Sequence, residues 1–133
     1  DGFYYKPRVD YEVLRTYHEG VIALSACLAG EVQRCLTRGM YEEAVRASEK
    51  YVDIFGKDNF FLELQDHGIP AQRQAAEGIL RLHRETGIPL VVTNDAHYLT
   101  REDAAMQDTL TVSPRRKCGL CSPMRLRPLK TPI

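Results

Sequence analysis

The chain has 133 residues, enough for one domain with a hydrophobic core, and it contains no apolar run of about 18 residues that could span a membrane. Its formal net charge is zero, but the six basic residues after Asp108 have no acidic counterpart, so the preceding body holds 12 basic against 18 acidic residues and carries about −6. This acidic body excludes non-specific binding of nucleic acid through phosphate contacts alone, whereas it is compatible with divalent cations.

The first residue of the chain and the spacing of its cysteines indicate what kind of protein it comes from and in which compartment. It begins at Asp1 rather than Met, and we expect it to be part of a longer protein. Cys27, Cys35, Cys118 and Cys121 are spaced unlike a secreted disulfide framework, which favours a reducing, cytoplasmic setting. Cys118 and Cys121 form a lone C-x-x-C motif, which is incomplete as a zinc site.

Short apolar runs alternate with amphipathic stretches along the body. The run at residues 21–24 predicts a first strand, which leads towards Cys27. Residues 41–55 predict a helix that ends at Gly56, because apolar residues recur at helical spacing opposite a charged face. The residues predicted to line its buried face are Tyr41, Val45, Ser48, Val52 and Phe55.

The second half of the body continues this alternation. Residues 60–65 predict a second strand, Pro70 suits the first turn of a helix that runs to Gly87, and residues 90–92 predict a third strand. Thr100 opens a further helix with a capping-box pattern. Strands separated by such helices indicate a parallel sheet, so the predicted fold class is α/β. Three units are too few to close a barrel, and an open doubly wound sheet stays an alternative.

Each predicted strand ends in residues of the kinds that bind metals: Cys27, then Asp66 and His67, then Asp95 and His97. Because the carboxyl ends of parallel strands share one edge of a sheet, these side chains can converge. Thiolate, imidazole and carboxylate suit zinc, the oxygen ligands also admit manganese, and such ions promote attack of water on phosphorus. Taken singly, each signal has a plainer explanation, as a small buried Cys or as an Asp that caps a turn.

Four sequence blocks point to a family. GFYYKPRVD (residues 2–10), ALSACLAGE (23–31), NFFLELQDHG (59–68) and TNDAHYL (93–99) closely resemble the PHP (polymerase and histidinol phosphatase) domain of the bacterial replicative DNA polymerases, the polymerase III alpha subunits. The blocks occur in the family's order and with similar spacing. They are more typical of this polymerase branch than of free-standing PHP phosphatases.

The resemblance implies a fold and a metal site. The fold is a distorted (β/α)7 barrel with parallel strands, which holds up to three divalent ions, zinc or manganese, at the strands' carboxyl ends. The family's last three ligands match Cys27, Asp95 and His97, and its earlier ligands, including a His-x-His pair, lie upstream of this chain. Asp66 and His67 are not among the family's ligands, and we predict that they support the ligands or build a turn.

The family pattern ends at Leu110. Residues 1–110 are therefore predicted to form the C-terminal portion of a PHP domain. Residues 111–133 are predicted to be a tail foreign to the family, either disordered or translated in a shifted reading frame. This tail has no acidic residue and carries three prolines after Leu120, and its apolar residues show no periodicity.

The resemblance also implies a function for the parent protein, that of a DNA-directed DNA polymerase in DNA replication. The aspartates that perform nucleotidyl transfer, with magnesium, lie outside this chain, so the fragment alone is expected to be inactive. In this family the PHP domain is associated with metal-dependent 3′→5′ exonuclease proofreading or with structural support. The implied partners are DNA, the sliding clamp and a proofreading exonuclease subunit, in the cytoplasm and without a membrane.

Two other hypotheses stay open at this point. The alternative function is a free-standing PHP phosphoesterase that hydrolyses a small phosphate monoester, although the first and third blocks argue against it. A scaffold without bound metal is the third hypothesis. The coding sequence on either side of the chain distinguishes the polymerase from the phosphoesterase. Metal analysis of the full-length protein distinguishes the scaffold from the metal-binding polymerase domain.

Overall fold

The computed structural model describes the backbone of residues 3–4 and 6–112 and the side chains of residues 8–110. The chain divides into two compact units, residues 1–95 and residues 96–133. The first unit alternates strands and helices as β1 Phe3–Tyr4, β2 Lys6–Pro7, α1 Tyr11–Tyr17, β3 Ala23–Leu24, α2 Glu31–Thr37, α3 Tyr41–Phe55, β4 Phe60–Leu64, α4 Pro70–Thr86 and β5 Leu90–Val92.

The first unit is built on a parallel sheet of β3, β4 and β5, with β4 in the centre. Leu24 of β3 pairs with Phe61 of β4, and Leu64 of β4 pairs with Val92 of β5. The crossover from β3 to β4 carries α2 and α3, and the crossover from β4 to β5 carries α4. The prediction of an α/β fold with parallel strands is therefore confirmed. Helix α2 and the antiparallel pair of β1 and β2 were not predicted from the sequence.

The core of the first unit lies between its helices and one face of the sheet. Phe60 and Leu62 alternate along β4 and are both buried, whereas Phe61 and Glu63 face the other way and are half-buried. The rest of the buried apolar cluster comes from the helices and from the entry to β5: Val32, Leu36, Ala44, Ala47, Ile54, Phe55, Ile79, Leu82 and Ile88.

The limits of α3 confirm the prediction, but its buried face is only partly as predicted. Gly56 ends the helix with φ of 86°, a conformation that favours glycine. Ser48 and Phe55 are buried as expected, whereas the other three predicted core residues are only half-buried. The buried face is centred instead on Ala44 and Ala47, because these small residues let α3 pack closely against α2.

The limits of α4 are also as predicted. Pro70 occupies the first turn, and Gly87 ends the helix in the left-handed region with φ of 72°, where its N–H donates to the His83 carbonyl over 2.8 Å. Gly78 marks the close approach of α4 to α2, because a Cβ atom there would lie 2.8 Å from the Leu36 side chain.

A carboxylate joins the first three helices of this unit. Tyr11 of α1 and Tyr51 of α3 both donate their hydroxyl protons to Glu31 Oε2 in the first turn of α2, over 3.0 Å in the case of Tyr51. The Tyr51 ring stacks on Phe60 with centroids 5.3 Å apart. Burial, followed by the bond to Glu31, raises the pKa of Tyr51, so this phenol keeps its proton well above neutral pH.

A third phenol links α3 to α4, and it gives a prediction for stability at alkaline pH. The Tyr41 hydroxyl donates to Glu85 Oε2 over 2.7 Å, and burial, then this bond, raises the pKa of Tyr41 from 10.0 to about 12. Because the folded state favours the protonated phenol, its contribution to stability is complete below about pH 10 and is lost as the pH rises through about 12. We expect Tyr41→Phe to lose less stability than the wild type over this interval, as measured by urea unfolding at a series of pH values.

The control for this prediction is Tyr17→Phe, because the Tyr17 side chain is exposed. This variant should follow the wild-type pH dependence. If Tyr41→Phe also follows the wild-type curve through this pH interval, the bond to Glu85 does not contribute as argued.

The second unit begins with a 3₁₀ turn, Arg101–Asp103, followed by α5, Ala104–Val112. The predicted capping box is confirmed, since the Asp103 carboxylate accepts from the Thr100 N–H over 3.0 Å. The first two residues of the predicted tail, 111 and 112, form the end of α5, so a helix extends into the segment that was predicted to lack one. Cys118, Cys121 and the rest of the tail from residue 113 lie outside the described residues. Within the described part of the chain, every helix is too short or too polar to cross a bilayer.

Candidate functional site

The carboxyl ends of the three parallel strands lie side by side at one edge of the sheet. The loops that leave this edge begin at Ser25 after β3, at Gln65 after β4 and at Thr93 after β5. Four of the five predicted site residues belong to these loops in the first unit, namely Cys27, Asp66, His67 and Asp95. The fifth, His97, belongs to the second unit.

Cys27 lies in a tight turn between β3 and α2. Ser25 is buried, Ala26 has a left-handed φ of 65°, and the Cys27 side chain is exposed. The Gly30 N–H closes the turn by donating to the Cys27 carbonyl over 2.7 Å. The plainer explanation of Cys27 as a small buried residue is therefore wrong, because the turn presents its thiol at the surface of the described chain.

His67 bridges the loop after β4 to the loop after β5. Its backbone N–H donates to Gln72 Oε1 over 2.8 Å, which turns the Gln72 amide nitrogen towards His67 Nδ1, 2.9 Å away. Nδ1 therefore accepts a hydrogen bond from the Gln72 amide, and the ring proton lies on Nε2, which donates to the Asn94 carbonyl over 3.0 Å. This chain of bonds fixes the tautomer and the ring orientation of His67 and ties it to the residue before Asp95.

Asp66 and Asp95 hold two different backbone conformations. The Asp66 carboxylate accepts from the Gly68 N–H over 2.8 Å, as in an Asx turn, so the turn-building role considered for Asp66 is present in the structure. Asp95 is exposed and has a left-handed φ of 45°. Strained backbone of this kind is found disproportionately at functional sites, which directs attention to Asp95.

A carboxylate and an amide couple the ends of β4 and β5. Gln65 donates through Nε2 to Glu63 Oε1 over 3.1 Å and to Thr93 Oγ1 over 3.0 Å. The Thr93 hydroxyl in turn donates to the Glu63 carboxylate. These three side chains therefore hold the two strand ends in a fixed relation beside the candidate loops.

A cavity of about 20 Å³, room for roughly one water molecule, lies between the Cys27 turn, the end of β4 and α4. Its polar lining consists of Cys27, Gln33, Glu63, Gln65 and Gln72. Gln33 is only 4% exposed, and its Oε1 atom has no hydrogen-bond partner among the described residues.

The three predicted metal ligands are Cys27, Asp95 and His97. Over the residues that the structure describes, no three His, Cys, Asp or Glu side chains form a group that could hold a metal ion. That these residues share one ion stays a prediction.

The buried amides of this region were missed by the sequence analysis, although a signal for them exists. Gln33 lies between Val32 and Leu36 on the buried face of α2, and Gln72 falls in register with Ala75 on the buried face of α4. A polar side chain on an otherwise apolar helix face must find hydrogen-bond partners in the interior. Such a residue next to a candidate loop indicates a support for that loop.

The sequence of the chain matches the family model of the PHP domain over residues 1–67, just over half of its length. The chain belongs to the PHP domain family. Three of the four blocks that suggested this family lie within the matched region or at its edge, and the block at residues 93–99 lies outside it. The resemblance identified from the sequence is therefore confirmed for this PHP chain.

The PHP chain is similar to curated proteins that share one name. It is 45% identical over 127 residues to the DNA polymerase III subunit alpha of Treponema pallidum, a match that covers 96% of the chain and 11% of the relative. The subunits of Saccharopolyspora erythraea and Deinococcus radiodurans are 46% and 44% identical over 110 residues, 83% of the chain, and the chain covers 9% and 8% of them. The chain thus spans about a tenth of the length of these relatives.

The length of the Treponema match bears on the tail. At 127 residues it is longer than the 110 residues assigned to the PHP domain, so it includes residues after Leu110. The foreign or frameshifted character of residues 111–133 stays a prediction, and sequencing of the locus around the codon for Thr111 tests it.

Proposed function

We propose that this PHP chain is part of a replicative DNA polymerase, an alpha subunit that performs DNA-directed DNA synthesis. The observation that carries the proposal is the 45% identity over 127 residues to a protein named DNA polymerase III subunit alpha, together with the same name on the other relatives. The alpha subunit would work with DNA, a sliding clamp and a proofreading exonuclease subunit in the cytoplasm. Magnesium would serve its polymerase centre, whose aspartates lie outside this chain.

The fold proposed for the complete domain is a distorted (β/α)7 barrel. The parallel strands β3, β4 and β5 would be three of the seven strands of this barrel. The half-buried face of β4, which carries Phe61 and Glu63, would then face the interior of the barrel. In such a barrel the loops at the carboxyl ends of the strands form the site. The loops of this chain at that edge carry Cys27, His67 and Asp95.

Cys27, Asp95 and His97 are proposed as ligands of divalent ions, zinc or manganese, of which the complete domain would hold up to three. The donor set fits these ions, since thiolate sulfur, carboxylate oxygen and imidazole nitrogen are the atoms that zinc takes in proteins. When bound, such ions supply charge stabilisation for hydrolysis at phosphorus, as in 3′→5′ exonuclease proofreading. Asp66 and His67 would orient the loops, His67 through its bond to the Asn94 carbonyl beside Asp95.

The polymerase proposal is tested on the full-length protein encoded at this locus. We expect it to extend a primed DNA template with magnesium, and we expect the 133-residue chain alone to show no extension and no nuclease activity. A full-length product that fails to extend the primer but hydrolyses a small phosphate monoester would overturn the proposal in favour of a free-standing PHP phosphoesterase.

The ligand assignment predicts a loss of bound metal. In the full-length protein, Cys27→Ser, Asp95→Asn and His97→Ala should each weaken zinc or manganese binding by at least about 10-fold, because the first two replace an anionic donor with a neutral one and the third removes the donor. Metal content after dialysis, measured by plasma mass spectrometry, gives the result.

Cys35→Ser is the matched control for Cys27→Ser, since Cys35 is a free thiol on α2, away from the predicted ligand loops. It should leave metal content unchanged. Wild-type metal content in the Cys27, Asp95 and His97 variants would contradict the assignment and favour a scaffold without metal.

A further inference from the structure

The buried amide nitrogen of Gln33 lies within hydrogen-bond distance of three oxygen atoms, two in the turn after β3 and one on β4. Its Nε2 atom lies 2.9 Å from Ser25 Oγ, 2.5 Å from the Ala26 carbonyl and 3.2 Å from the Glu63 carbonyl. The orientation of the amide follows from these neighbours, because the reverse would place Oε1 against two carbonyl oxygens. Gln33 therefore clamps the turn before Cys27 to the end of β4.

Ser25 completes the clamp where the main-chain pairing of β3 and β4 ends. Its backbone N–H still donates to the Phe61 carbonyl over 3.0 Å, but its side-chain Oγ, not a backbone carbonyl, accepts from the Glu63 N–H over 2.8 Å. Ser25 is only 5% exposed, so these bonds are protected from water. The hydroxyl lets the chain leave the sheet at this point without orphaning the Glu63 amide.

The clamped segment is strained. Ala26 has a φ of 65°, in the left-handed region that a residue with a Cβ atom rarely adopts. Such a conformation persists only where its surroundings over-determine it, and here the Ala26 carbonyl is held by Gln33. Cys27 follows directly, so the direction in which its thiol leaves the turn depends on this strained residue.

We propose that Gln33 and Ser25 are positioning residues that set the Cys27 turn in advance, so that the thiol is already placed for metal binding before the ion arrives. This inference rests on the proposed role of Cys27 as a ligand. Gln33 contributes without coordinating the ion, because it acts on the backbone of the preceding residue. Pre-organisation of this kind lowers the ordering cost of binding.

The test compares Gln33→Met with Gln74→Met in the full-length protein. Methionine has nearly the length of glutamine but neither amide hydrogens nor a carbonyl, and Gln74 lies exposed on α4. Zinc affinity is measured by competition with a chromophoric chelator. We expect Gln33→Met to weaken zinc binding about 10–100-fold, the range typical of residues that orient ligands, and Gln74→Met to leave it unchanged.

A second readout separates positioning from general stability. In the metal-free protein, hydrogen exchange in peptides that cover residues 25–30 should accelerate in Gln33→Met, while peptides within α3 keep their wild-type rates. Acceleration throughout the first unit would instead mean a purely structural role and would overturn the proposal. If Gln33→Met does not fold, Ser25→Ala replaces it, with a smaller loss of affinity expected because only one acceptor is removed.

Cys27→Ser distinguishes the two levels of the argument. If Cys27→Ser weakens zinc binding and Gln33→Met, correctly folded, does not, the positioning role fails and the ligand assignment stands. If Cys27→Ser leaves zinc binding unchanged, the ligand assignment fails, and the metal-binding purpose of the clamp fails with it.

Discussion

Replacing Phe60 with alanine is expected to lower the free energy of unfolding of this chain by about 3–5 kcal/mol. Phe60 is 1% exposed, lies on the central strand β4 and stacks on Tyr51 with ring centroids 5.3 Å apart. Its removal would leave a cavity between the sheet and α3 that the surrounding side chains cannot fill. Urea unfolding followed by circular dichroism measures the change, with an unchanged m-value as the condition for comparing the two chains.

Phe61→Ala is the matched control, since it makes the same chemical change one position along the same strand. Phe61 faces away from the helices and is only half-buried, so a cost of about 1–2 kcal/mol is expected. Phe60→Leu should fall below about 1.5 kcal/mol and is informative if the alanine variant does not fold. Equal costs for Phe60→Ala and Phe61→Ala would mean that the core does not lie on the helix side of β4.

The sequence was a good guide to the fold wherever local chemistry decides a boundary. Pro70 and Gly87 bracket α4 because proline suits a first helical turn and glycine a left-handed end, and neither preference depends on distant contacts. Gly56 ends α3 in the same way. The short helix α2 was missed because it has only 7 residues, too few for a clear period.

The candidate site, unlike the helix limits, could be predicted from the sequence only in part. The residue types at the strand ends were visible in the sequence, and Cys27 and Asp95 do follow parallel strands. What the sequence could not show is the support beneath them. Gln33 bonds to Glu63 across 30 positions of the chain, and the bond from His67 to Asn94 spans 27. The partner of an amide is known only after the strands have been paired, and the left-handed φ of Ala26 depends on such a contact, because its carbonyl is held by Gln33.

Gly30→Ala is expected to destabilise the chain by about 3 kcal/mol, near the upper end of the cost of overpacking, and to disrupt the Cys27 turn. The φ of Gly30 is −64°, so alanine could adopt its backbone conformation without strain. The obstacle is space: a Cβ atom there would lie 2.3 Å from the Ser25 carbonyl oxygen and 3.0 Å from that of Cys27. Both are backbone atoms, so the turn itself must move. Urea unfolding measures the cost, and metal binding in the full-length protein should fall with it.

Gly39→Ala separates this effect from the conformational freedom of glycine. Gly39 has a φ of 74° but nothing within 4 Å of a Cβ atom, so alanine there should cost only the left-handed backbone penalty of roughly 1–2 kcal/mol. It should not alter metal binding, because it lies between α2 and α3, away from the Cys27 turn. If Gly30→Ala lowers the free energy of unfolding less than Gly39→Ala does, residues 25–30 are not packed as closely as described. The clamp by Gln33 would then lose its basis, because it depends on the same turn geometry.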